Sequence, residues 1–146
     1  MTTAQYCIQN KPKTIFSVQS TDTIEKALAL MRDNRVRAIL VIDNDRLVGI
    51  VSQGDCAIKV LLAKKDPQAT PVLEIMTANP LTVAPKNTLD ECMAIMVHKH
   101  IRHLPVVENN MVKGVISIGD LVKNVIEAQG DHIKFLETYI KGHGSY

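Results

Sequence analysis

Apolar positions along this chain follow two rhythms, and each rhythm occurs twice. Ile24, Ala27, Leu28 and Met31 stand at i, i+3, i+4 and i+7, which places them on one face of a helix. Asp22 precedes that face as a cap, with Glu25 three residues on in capping-box spacing. Residues 14–18 form a short β-prone run before it. Residues 38–42 are continuously aliphatic, 43–46 read Asp-Asn-Asp-Arg, and 47–52 are apolar again. That sequence predicts strand, turn and returning strand. A second helix starts at Asp55 and runs to about residue 62.

The same order returns further on. Residues 81–83 are the lead strand. Thr88 caps a helix, with Glu91 three later and Leu89, Cys92, Met93 and Met96 as its face. Residues 104–107 and 112–117 make a hairpin across 108–111, and Asp120 opens a helix through 129. The match is a self-alignment at an offset of about 65 residues with no gap. It pairs Thr23 with Thr88, Met31 with Met96, Arg37 with Arg102, Asn44 with Asn109, Gly49 with Gly114, Ser52 with Ser117 and Asp55 with Asp120.

Each copy is therefore β-α-β-β-α, and the fold class is α/β (α+β) with two repeats related by a pseudo-twofold axis. Residues 14–65 are the first repeat and 79–129 the second. Residues 1–13 read as an irregular lead-in and 66–78 as a polar connector with one helical turn at 72–76. Residues 130–146 form an amphipathic helix and tail, with Ile133, Leu136, Tyr139 and Ile140 at helical spacing. That helix packs either on its own subunit or on a second one, and its last residues, 142–146, are expected to be disordered. Neither copy, at about 50 residues, buries enough surface alone, so the two should stack sheet to sheet. Leu30, Ile95 and Val97 lie off the main helical stripes and predict contact with a second module, hence a homodimer.

Composition narrows the classes. Hydrophobic residues make up 46% of the 146-residue chain but aromatics only 3%, with no Trp, so the core is aliphatic. A formal charge of +2 without a Lys/Arg run argues against nucleic acid. Cys7, Cys56 and Cys92 are an odd number without a CxxC pair, which points to free thiols in a reducing compartment. No stretch approaches the roughly 18 apolar residues of a membrane span. A soluble cytoplasmic protein is expected.

Candidate chemistry is sparse. No G-x-S-x-G elbow, no Cys–His pairing, no H-E-x-x-H, no Walker lysine loop and no G-x-G-x-x-G occur, so turnover is not expected. His98, His100 and His103 with Cys92 fit none of the common zinc spacings, and no metal is expected. The pattern Gly-x-x-Ser-x-x-Asp, present as 49–55 and 114–120, has more content. An Asp at a helix start is a preferred N-cap. The alternative is a ribose clamp, in which carboxylate oxygens accept from the two cis-diol hydroxyls. Arg37 with Ala38, and Arg102 with His103, stand just before the central strands, where they could meet phosphate.

The two tandem copies, with Arg102-His103-Leu104-Pro105-Val106-Val107 and Gly114-Val115-Ile116-Ser117-Ile118-Gly119-Asp120-Leu121, resemble the cystathionine β-synthase (CBS) domain, and the pair resembles a Bateman module of the bacterial stand-alone kind. The resemblance implies a non-enzymatic regulatory module in signal transduction, with clefts between the copies for AMP, ADP, ATP, NAD or S-adenosylmethionine. It implies a homodimer, an unidentified downstream protein, and no contact with nucleic acid or membrane. In one cleft Ser117, Ile118, Gly119 and Asp120 would hold ribose. Arg102 and His103 would face phosphate there, and Thr14, Ile15, Phe16 and Val36 would line adenine. The other cleft would use Ser52, Asp55, Arg37 and Ala38, with Pro80, Leu81 and Ile101 beside adenine. Gln53-Gly54 stand where many relatives carry Glu-Arg, and Leu40 replaces the proline supplied by Pro105, so the Asp120 cleft is expected to bind more tightly. The rival reading is a scaffold dimer whose clefts are empty or vestigial.

Overall fold

The computed structural model describes residues 2–12 and 14–128. The chain runs α1 (Ala4–Gln9), β1 (Ser17–Val18), α2 (Ile24–Asn34), β2 (Ala38–Asp43), β3 (Arg46–Ser52) and α3 (Gln53–Cys56), which continues as a π-helical turn, Ala57–Leu61. A 3-10 turn, Val72–Glu74, leads to β4 (Thr77–Ala78), α4 (Leu89–Lys99), β5 (His103–Glu108), β6 (Met111–Ser117) and α5 (Ile118–Ala128). The first repeat holds a four-stranded sheet in the order β1-β2-β3-β4, and the second a β5-β6 hairpin. β1 runs parallel to β2, and both hairpins are antiparallel.

The repetition extends to backbone detail. Arg35 and His100 end α2 and α4 in the left-handed region. Asn44-Asp45 and Asn109-Asn110 both have positive φ at two successive positions, as a type I′ hairpin turn requires. The register slips after Val41 in one hairpin and after Val106 in the other. Threonine caps both first helices: Thr23 Oγ1 accepts from Lys26 N and Thr88 Oγ1 from Glu91 N. Asp22 is therefore not the cap; its carboxylate accepts from Gln19 N and lies beside Lys26. The lead strands are shorter than expected, two residues in the first repeat and a single bridge, Val83 with Val106, in the second.

Two aliphatic cores result, one per repeat. Ile24, Ala27, Met31, Ile39, Val41 and Val51 belong to the first, and Leu89, Cys92, Met96, Leu104, Val106 and Ile116 to the second. The lead-in is not irregular. Thr3 caps α1, and Ala4 and Cys7 are buried in the core of the second repeat, not the first. Val72 and Ile75 of the connector complete the core of the first repeat. The two segments are equivalent in their hydrogen bonds. Leu89 N, Ala4 N and Gln5 N donate to Thr2 O, Asn87 O and Pro85 O, while Ile24 N, Val72 N and Leu73 N donate to Thr70 O, Asp22 O and Ser20 O. Each repeat is thus covered by the segment that precedes the other.

That crossing accounts for two recurring glycines. A Cβ on Gly49 would collide with Met76, and one on Gly114 would lie 3.0 Å from Ile8. A side chain at either strand position would displace the covering segment.

Leu30 and Ile95, expected at a dimer face, are half-buried and pack on their own cores, whereas Val97 is exposed. Further exposed apolar side chains sit on the turn after α3 (Ile58, Leu61, Leu62) and on α5 (Val122, Val125). No helix among the described residues is long and apolar enough to cross a membrane. The amphipathic segment expected at 130–142, and the tail after it, lie outside the described residues.

Candidate functional site: a basic cleft between the repeats

Ser52 and Ser117 end β3 and β6, and the helices that follow start at the next residue. In both repeats the serine hydroxyl accepts from the Asp N–H three residues on, at 3.1 and 3.2 Å. The Asp Oδ2 accepts in return from the serine N–H, at 3.1 and 2.8 Å. This is a reciprocal capping box, so serine is the cap and aspartate its third-position partner. The recurrence of Ser with Asp has a structural cause. The helix start is also pinned to the preceding arginine, since Gln53 N donates to Arg37 O and Ile118 N to Arg102 O. Arginine, serine and aspartate are thereby held together in each copy.

The two copies differ in what surrounds that cluster. A cleft of about 1010 Å³ opens beside Asp120, with walls from both repeats. Its lining includes Ser117, Ile118, Gly119 and Asp120 at the start of α5, with Arg102 and His103 at the start of β5. Thr14, Ile15 and Phe16 come from the segment before β1, and Val36 from the turn after α2. All the residues assigned to the first cleft are therefore brought together.

The second set is not. Arg37 and Ala38 line the same cleft as Asp120. β3 and β6 touch between the repeats, and each repeat contributes an arginine, Arg37 or Arg102, to this one space. Ser52, Asp55, Pro80 and Ile101 line neither this cleft nor a smaller depression of about 540 Å³ around Leu81, Ile95 and His98. Asp55 Oδ1 lies 3.7 Å from Lys59 Nζ, which also donates to Ile75 O.

Lys11 is a site residue that sequence reasoning missed. It follows α1, and its Nζ donates to Asp120 Oδ2 and to Val115 O, both at 2.8 Å. It has no counterpart in the repeat pattern, so only the crossed packing of α1 reveals it. Both hydrogen bonds to the Asp120 carboxylate fall on Oδ2, and Oδ1 has no partner among the described residues.

Burial is the main reason that the His103 imidazole is held below its ordinary pKa, and the charges of Lys11, Arg102 and Arg37 add to it while Asp120 opposes. Burial also pushes the Cys7 and Cys56 thiols up to about 11, and that of Cys92 upward, so none is an activated nucleophile. Cys92 is buried while His98 and His100 are exposed, so they form no cluster.

Comparison with known proteins gives one consistent result. Residues 12–61 and 72–127 each match the CBS domain. The chain is 30% identical over 126 residues to the CBS domain-containing protein CBSX3, mitochondrial, of Arabidopsis thaliana. That match covers 83% of this chain but only 61% of CBSX3. A protein with CBS domains from Burkholderia ambifaria MC40-6 superposes with a TM-score of 0.85 at 44% identity, covering 88% of this chain and 96% of that one. A crystal structure of CBSX2 in complex with AMP shares the fold at a TM-score of 0.74 and 22% identity, over 87% of this chain and 98% of CBSX2.

Proposed function

Because this chain belongs to the CBS-domain family, we propose that it is a regulatory module that binds an adenosyl ligand in the cleft beside Asp120 and has no catalytic activity of its own. The cleft carries this reading: its volume is at the upper end of small-ligand sites, and it combines apolar walls with a few convergent polar groups. The residues fit the ligand. Half-buried Ile15, Phe16 and Val36 offer an apolar slot for a purine. The clamp on ribose uses one carboxylate oxygen, not two, because Oδ2 is taken up by Ser117 N and Lys11. Oδ1 accepts from one hydroxyl, and the Ser117 hydroxyl, whose oxygen already accepts from Asp120 N, donates to the other. Arg102 and His103 stand ready for phosphate. The AMP complex of CBSX2 supports this class of ligand, which includes ADP, ATP, NAD and S-adenosylmethionine.

Gly119 adds support. A Cβ there would meet only Ser117 Oγ, at 3.6 Å, an ordinary contact. The protein itself does not demand glycine at the start of α5, whereas a ligand lying against that backbone would.

The working unit is a homodimer, for which the exposed Ile58, Leu61 and Leu62 supply an apolar surface, and its effector is a separate protein. Three free, buried cysteines support a reducing cytoplasm.

Calorimetric titration tests the ligand site. AMP or ATP should bind the wild type, and Asp120→Ala should weaken binding by about 1.5–3 kcal/mol, the range for hydrogen bonds to a charged group. The same change should cost about 1 kcal/mol of stability through the lost capping box. Unchanged affinity in a folded variant would leave Asp120 as a capping residue alone.

A further inference from the structure

The charge of the cleft is out of proportion to that of the chain. Among the described residues, Lys11, Arg35, Arg37, Arg102 and Lys113 line it against a single carboxylate, Asp120. Five cations against one anion leave four positive charges in the cleft, while the whole chain carries a formal net charge of only +2. Lys11 is bonded to Asp120, but Arg35, Arg37, Arg102 and Lys113 have no acidic partner among the described residues. These four come from both repeats: the end of α2, the start of β2, the approach to β5 and the middle of β6. A solvated surface of a protein with nearly balanced charge intersperses both signs. Here one sign is concentrated on the walls of a concave space, where low-dielectric walls focus the field.

We infer that the cleft selects its ligand by phosphate charge and is built for a polyphosphate-bearing adenylate, such as a nucleoside di- or triphosphate, in preference to a monophosphate or a sulfonium compound. The inference rests on the adenosyl reading above and specifies the ligand class within it. A monophosphate ester carries about two negative charges near neutral pH and a triphosphate about four, so only the longer chain matches the four unpaired cations. Extra phosphates also reach further from the ribose clamp, toward groups that a monophosphate leaves untouched. S-adenosylmethionine would place a positive sulfonium among them. With Asp120 as the only carboxylate in the lining among the described residues, those residues offer no second acid for a divalent cation, and their arginines and lysines neutralise the phosphates.

The test is titration of AMP, ATP and S-adenosylmethionine into the intact protein, without divalent cations, at low and moderate salt. ATP is expected to bind at least about fivefold more tightly than AMP, the yield of a few half-exposed charge pairs. The gap should narrow as salt rises, and S-adenosylmethionine should bind most weakly. In the Arg37→Gln/Lys113→Gln variant, both positions being exposed, ATP should lose most of its advantage while AMP changes by a smaller factor. A smaller gap in the wild type, a gap that survives the double substitution, or S-adenosylmethionine as the preferred ligand would overturn charge selection while leaving adenosyl binding intact. Failure of all three compounds to bind would instead reject the adenosyl reading on which it rests.

Discussion

His103 is where the chemistry of the cleft meets solution pH. Its imidazole is half-buried with Lys11, Arg102 and Arg37 close by, and its folded-state pKa lies below the ordinary value near 6.5. The unfolded chain therefore takes up the proton first as pH falls. Stability contributed by neutral His103 is fully present above about pH 7 and is lost as the pH drops through 6.5 toward the folded value. Urea unfolding at pH 7.5 and 5.5 should show a larger loss of stability in the wild type than in His103→Gln, and equal losses would refute the assignment. A bound phosphate group reverses the local field. Ligand binding at pH 6.5 should then take up more protons in the wild type than in His103→Gln, read as a difference between the two proteins in how the binding heat depends on buffer ionisation enthalpy, the phosphate's own titration being common to both.

Among the elements, the hairpins and the capped helices were legible because the signals for them are local. Asn44-Asp45 and Asn109-Asn110 announce their turns, and Thr88 with Glu91 announces a helix start. In the first repeat the adjacent Asp22 obscured the equivalent cap, Thr23. Of the residues that recur, Arg37, Arg102, Ser117 and Asp120 line the cleft, whereas Ser52 and Asp55 do not. What stayed hidden depends on contacts distant in sequence. α1 is too short to carry a helical stripe of its own, and its apolar partners lie some 80 to 115 residues away, so Lys11 could not be placed. Arg37 and Ala38, expected in a second cleft, line the Asp120 cleft for the same reason: where a strand start lies is settled between repeats, not within one. The glycines report the crossed packing directly. Gly114→Val should cost about 1–3 kcal/mol by driving a side chain into Ile8. Gly54→Ala, a helical position where a Cβ meets only Ser52 Oγ at 3.7 Å, should instead stabilise by about 0.4–1 kcal/mol. Thermal or urea unfolding of the two variants checks both values, and equal destabilisation would contradict the steric argument.

For the whole molecule, the exposed apolar side chains are the feature that a lone subunit leaves unexplained. Leu61 is 78% exposed and Leu62 70%, on the turn that continues α3. A self-complementary face buries such a patch on both subunits at once. Light scattering at micromolar concentration should give about twice the 16.1 kDa chain mass, and Leu61→Glu should shift it toward that of one chain. A wild-type mass of one chain would reject the dimer and leave Leu61 as ordinary surface.

The crossed covering of the two cores also bears on how such a chain is put together. Residues 2–9 and 70–76 are interchangeable arms, each clasping the body that its neighbour begins. A half-length chain of one arm and one body would carry the backbone hydrogen bonds of this exchange to a second copy of itself, but only one arm carries a Lys11. The present molecule is that exchange written into a single polypeptide. The cut that would separate its repeats is therefore also the cut that strands each arm on the wrong half.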